Sequence, residues 1–101
     1  KVKDVTAVNN GNVDSVIIRT DGKSGAKVTT SQNPNTAMVD MPMVLAEGIQ
    51  EQINVNGLQY VKSIKTSWID GTTFRVSVEA EGTATITWKE ENDKFMWKNQ
   101  H

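Results

Sequence analysis

The chain has 101 residues with 11 basic and 12 acidic side chains, no cysteine, and its one histidine at the C-terminal position, His101. A chain this long buries roughly two thirds of its unfolded surface around one core. That excludes a second domain closing over a substrate, and the lack of Cys and of an internal His excludes disulfide frameworks, thiolate metal sites and His-activated nucleophiles.

A net charge of -1 offers no cluster of Lys and Arg for phosphates, so nucleic acid is not an expected partner. No apolar run approaches the roughly 20 residues of a membrane span, and Lys1-Val2-Lys3-Asp4 carries no signal-peptide core. If the protein is exported, its signal is expected outside this chain. Val 12, Thr 11 and Ile 7 against Leu 2 and Ala 6 predict an all-β fold, because β-branched side chains suit a pleated surface and lose rotamer freedom in a helix.

In chain order, alternation predicts strands at Val2 to Val8, Val13 to Thr20, Ala26 to Thr30 and Thr36 to Met41. They are separated by turn-forming runs at Asn9 to Asn12, Asp21 to Gly25 and Ser31 to Asn35. Gly22, Lys23 and Gly25 suit a hairpin turn, since no phosphate-loop pattern leads into a helix. Pro42 to Gly57 reads as a connection, with one helical turn at Met43 to Ala46 and a short strand at Gln50 to Val55. A strand then ends at Trp68 beside Asp70-Gly71.

From Thr73 to Glu90 the pattern predicts a half-buried antiparallel hairpin. Phe74, Val76, Val78 and Ala80 point inward on its first arm, and Ala84, Ile86 and Trp88 on its second. Phe95 and Trp97 face inward on a last strand, giving one domain over residues 1–97, with residues 98–101 read as a tail or linker.

The two halves align. Val5-x-x-Val8 matches Val61-x-x-Ile64, Val16-x-Ile18 matches Val76-x-Val78, and Asp21-Gly22 matches Glu81-Gly82, followed by Val28 with Ile86, Ala37 with Phe95 and Val39 with Trp97. The V-x-x-V spacing breaks alternation in both halves and predicts a bulge there. Each half supplies about four strands, which predicts a sandwich of two small, quasi-symmetric antiparallel sheets.

These residues resemble the AMIN domain, a β module found ahead of secretin domains in type IV pilus channels and ahead of the catalytic domain in periplasmic N-acetylmuramoyl-L-alanine amidases. Asn33-Pro34-Asn35-Thr36-Ala37-Met38-Val39-Asp40-Met41-Pro42 is similar to the family's NPxRhhhDhPg segment. Val61-Lys62-Ser63-Ile64-Lys65 is similar to its VxxIR, and Phe74-Arg75-Val76-Ser77-Val78 to its tRVVhdl. Thr36 and Lys65 stand where the family has Arg, and Met43 where it has Gly, so Arg75 is the retained arginine. The resemblance implies a non-catalytic periplasmic module that attaches its parent to peptidoglycan. A pilus secretin is the favoured parent and an amidase the alternative, with other envelope or pilus-assembly proteins as further partners. No cofactor or metal is implied.

For ligand contact the candidates are Arg75, Ser77, Thr87 and Lys89 on the outward face of the Thr73 to Lys89 hairpin, with Arg19 and Lys27 at comparable places in the first half. Arg with neighbouring hydroxyls can bond the carboxylates of stem peptides and the acetamido groups of glycan, whereas charges on a sheet face ordinarily serve solubility and edge protection. Trp68 either stacks on a glycan ring or covers the open end of the sandwich, and the sequence leaves both readings open. Asp40, in an Asp-Met-Pro context at a strand end, is read as capping a turn or receiving backbone N-H bonds, with a ligand-binding carboxylate as the alternative. Glu79, Glu81, Glu90 and Glu91 lie outward and in turns rather than as a glycosidase pair, so no enzyme is expected. The competing readings are a protein-docking domain and a general carbohydrate-binding module, for which Tyr60 and Trp68 are the available outward aromatics.

Overall fold

Alternating β-branched and polar residues form nine strands among the described residues, which in this computed structural model are 1–22, 25–42, 45–46 and 48–101. They are β1 (Val2–Asn10), β2 (Val13–Thr20), β3 (Lys27–Gln32), β4 (Asn35–Pro42), β5 (Gln52–Ile53), β6 (Val61–Asp70), β7 (Thr73–Ala80), β8 (Thr85–Glu91) and β9 (Lys94–Gln100). A four-stranded sheet has the order β1-β2-β9-β8 and a five-stranded sheet the order β3-β4-β7-β6-β5, with every pairing antiparallel.

The sheets pack as a sandwich. Its core is Val2, Val5, Val16 and Ile18 with Phe95 and Trp97 from one sheet, against Ala37, Val39, Met41, Ile64, Phe74, Val76 and Val78 from the other. These are the inward positions that alternation predicts for β2, β4, β7 and β9.

The quasi-symmetry is present, but each half divides between the sheets instead of forming one. β1 and β2 lie in the four-stranded sheet and their counterparts β6 and β7 in the five-stranded one, while β3 and β4 exchange places with β8 and β9. Val16 pairs with Trp97 as Val76 pairs with Val39, and Ile18 with Phe95 as Val78 with Ala37. The expected Thr73 to Glu90 hairpin therefore does not form. β7 pairs with β4 and β6, and at Glu81 to Ala84, closed by the Ala84 N-H donating to the Glu81 carbonyl at 3.1 Å, the chain crosses to the other sheet.

Register shifts sit between Val2 and Asp4 and between Val61 and Ser63. The bulge thus occurs in both halves, but the counterpart of Val61-x-x-Ile64 is Val2-x-x-Val5, not Val5-x-x-Val8. Likewise Val28, which pairs with Val39, corresponds to Trp88, which pairs with Trp97, and not to Ile86.

Three further expectations change. β9 continues to Gln100 with Asn99 fully buried, so residues 98–100 are strand where a tail was expected. Trp88 has the inward parity of Trp97, yet among the described residues β8 is an edge strand with no further strand beyond it, and Trp88 is 49% exposed. Tyr60, expected outward, is buried with Ala80 and Ala84 against the His101 ring. The helical turn expected at Met43 to Ala46 falls partly on Met43 and Val44, and the Gly22 to Gly25 turn on Lys23 and Ser24, all of which lie outside the described residues. The short strand of the connection is confined to Gln52–Ile53 on the edge of β6.

Candidate functional site

The outer face of the five-stranded sheet is a polar lattice set by register. One row runs Lys27, Asp40, Arg75, Ser67 and a second Thr29, Met38, Ser77, Lys65, Gln52. The neighbours of Asp40 and Arg75 along their own strands, Val39, Met41, Phe74 and Val76, are buried. Strand alternation therefore turns Asp40 and Arg75 outward.

Arg75 grips Asp40 with two parallel bonds, Nε donating to Oδ1 at 2.8 Å and Nη2 to Oδ2 at 3.0 Å. The Arg75 guanidinium holds the Asp40 carboxyl below the usual carboxylate range against the opposing effect of desolvation, with Lys27 assisting, and Asp40 in turn raises the pKa of Arg75. Asp40 is thus the cross-strand anchor of the arginine and not the turn cap expected. A guanidinium has five N-H donors, so those outside the Asp40 fork remain for a ligand.

Beside this pair a shallow groove of about 380 Å³ is lined by Met38, Gln52, Lys65, Ser67, Arg75 and Ser77, together with Glu51 and Thr66. Its two cations and its hydroxyl and carboxamide groups can bond a carboxylate or an amide.

The six candidate residues do not form one cluster. Arg75 and Ser77 share the groove. Thr87 and Lys89, paired with Lys98 and Met96, face outward from the four-stranded sheet on the opposite side of the sandwich. Arg19 lies on that face too, 3.8 Å from Asp4, and Lys89 is 3.4 Å from Glu91. The cause is the crossover after Ala80, which separates residues that a hairpin would have placed side by side. Glu79, farther along β7 from Arg75, pairs with Lys62 at 3.4 Å.

Trp68 stands opposite Phe74 in the β6–β7 register, edge-on to it at 5.1 Å between centroids, and is 42% exposed. It covers the end of the core and also lines a cavity of about 430 Å³ with Ala46, Ile49 and Ser67.

Sequence reasoning missed Asp14. This carboxylate is fully buried, accepting from the Asn9 side chain at 2.8 Å and from the backbone N-H groups of Gln59, Tyr60 and Val61. Its place between Val13 and Val16, on the inward parity of Val16 and Ile18, was the available signal.

The family model of the AMIN domain matches residues 4–95. A search of curated proteins finds no match. AMIN domains are non-catalytic modules that bind or target to peptidoglycan, and they are typically periplasmic.

Proposed function

The chain belongs to the AMIN domain family, and from that premise we propose that it binds peptidoglycan and holds a larger exported protein against the cell wall of the periplasm. The observation that carries this reading is the family match over residues 4–95. The parent we favour is a type IV pilus secretin, with a cell-wall amidase as the alternative.

We assign the stem-peptide contact to the groove on the five-stranded sheet. Arg75 and Lys65 offer charge to a free carboxylate, and Ser77 and Gln52 offer neutral partners to the peptide amides. Trp68 lies on the inner side of the same sheet, opposite Phe74, and lines the cavity at the end of the core instead of this groove. Arg19, Thr87 and Lys89 form the corresponding polar face on the other sheet, where a second strand of the wall can lie.

Co-sedimentation of the chain with purified sacculi tests the function. The folded protein is expected in the pellet at physiological salt. Its persistence in the supernatant would overturn cell-wall binding and favour a protein-docking domain.

A further inference from the structure

β3 and β8 are edges of different sheets and run past each other along one open side of the sandwich. The gap is pinned at both ends. The Ala26 N-H donates to a Glu90 carboxylate oxygen at 3.2 Å, and at the far end Asn35 Nδ2 donates to the carbonyls of Glu81 and Ala84 at 2.9 and 2.8 Å.

Between these pins lies a cleft of about 250 Å³ lined by Trp88, Ile86, Thr85, Thr30, Ser31 and Gln32, with the Asn35 end beyond them. No charged side chain lines it among the described residues. The half-exposed Trp88 lines this cleft among hydroxyls and carboxamides, and also lines a second cavity with Thr87, Lys89, Met96 and Lys98.

We infer that this cleft binds an uncharged glycan, with Trp88 as the stacking platform. A pyranose ring has an apolar C-H face and a rim of hydroxyl and acetamido groups. An indole face meets the first, and Thr30, Ser31, Gln32 and Thr85 can donate to and accept from the second. The neutral lining gives no attraction for stem-peptide carboxylates, which the Arg75 groove takes instead. The inference rests on the peptidoglycan reading and adds that glycan and stem peptide meet different surfaces of the domain.

The test uses the whole chain with N,N′,N″-triacetylchitotriose as the soluble probe, and purified sacculi in parallel. Amide resonances of Thr30 to Asn35 and Ala84 to Trp88 should shift on titration. Trp88→Leu, which keeps an apolar cover and removes the π-face, should weaken binding of both probes about tenfold, while Trp88→Phe should retain most of it. Pelleting with sacculi without any response to the sugar, or a Trp88→Leu variant that binds like the parent, would overturn the cleft and leave the cell-wall reading standing. Sugar binding without sacculus binding would support the cleft and remove the cell-wall reading, and no binding of either probe would remove both.

Discussion

Asp14 occupies on β2 the position that Phe74 occupies on β7. Asn9 pairs with Asp14 as Trp68 pairs with Phe74, and Asn99 pairs with Asp14 as Met41 pairs with Phe74. Three quasi-equivalent places are thus apolar at one end of the sandwich and polar at the other. The polar end receives the connection entering β6, whose N-H groups at Gln59, Tyr60 and Val61 all donate to the Asp14 carboxylate at 3.0, 2.5 and 2.9 Å. A buried acceptor is needed because the Tyr60 and Val61 donors, whose bonds to Asp14 are buried, would otherwise be removed from water without partners.

Asp14→Leu would match the apolar character of Phe74 and still lower stability, by about 3 kcal/mol or more, because three backbone donors lose their acceptor. Asp14→Asn keeps one acceptor oxygen and should lose less. Urea unfolding of the two variants, compared with the parent, measures the order. Equal stability of Asp14→Leu and the parent would show that water satisfies these donors.

Acid should weaken the fold through the same group. Burial pushes the Asp14 carboxyl up, but the bonds from Asn9, Gln59, Tyr60 and Val61 together hold it below the usual range, and Arg75 does so for Asp40. With both folded values depressed, the unfolded chain takes up protons first as pH falls. The stabilisation is complete above the unfolded carboxylate value of about 4 and is lost as pH drops through the folded values. Urea midpoints should fall below about pH 4, and Asp14→Asn should flatten that dependence.

Strand parity was legible because β2, β4, β7 and β9 lie inside their sheets, where each inward residue meets the opposite sheet. Trp88 broke the pattern, since alternation reports which way a side chain points and not whether a strand lies beyond it. The bulge frame was ambiguous because Val2, Val5 and Val8 repeat the same spacing twice, and only pairing against β2 distinguishes the two frames. The scattering of the candidate site had one physical cause. A short turn after Ala80 can return a strand to its neighbour or carry it to the facing sheet, and the side chain that fixes the turn, Asn35, is supplied from 46 and 49 residues away. The Asp40–Arg75 pair was hidden likewise, because it depends on β4 lying beside β7.

Core and cleft tryptophans should separate cleanly. Trp97 is fully buried and stacked edge-on against Phe95 at 5.2 Å, so Trp97→Ala should cost about 3 to 5 kcal/mol, much of the stability of a domain this size. Trp88→Ala should cost about 1 kcal/mol or less, in keeping with its exposure. Thermal melts of both variants test the contrast, and a comparable drop for each would mean that β8 is covered in solution.

Asn35 gives a prediction about the crossover. Its amide donates to two carbonyls of the Glu81 to Ala84 turn, so Asn35→Ala should cost about 1 to 3 kcal/mol by leaving them without that donor. Asn35→Asp should cost more near neutral pH, because a carboxylate would face the two carbonyl oxygens. If Asp proves milder than Ala in urea unfolding, the turn is held by other contacts.

Arg75 and Asp40 provide the test of the proposed peptide groove. Both side chains are about 30% exposed, so losing the pair should reduce stability by no more than about 1 kcal/mol whichever partner is removed. Binding should respond differently to the two changes. Arg75→Ala removes the guanidinium donors left outside the Asp40 fork for a stem-peptide carboxylate, and sacculus binding should weaken, with Arg75→Lys intermediate because charge remains without the planar donor geometry. Asp40→Ala releases the guanidinium from its internal partner, so binding should hold or strengthen. Equal weakening by Asp40→Ala and Arg75→Ala, in samples that melt alike, would mean that the pair only shapes the sheet face and that the carboxylate contact lies elsewhere.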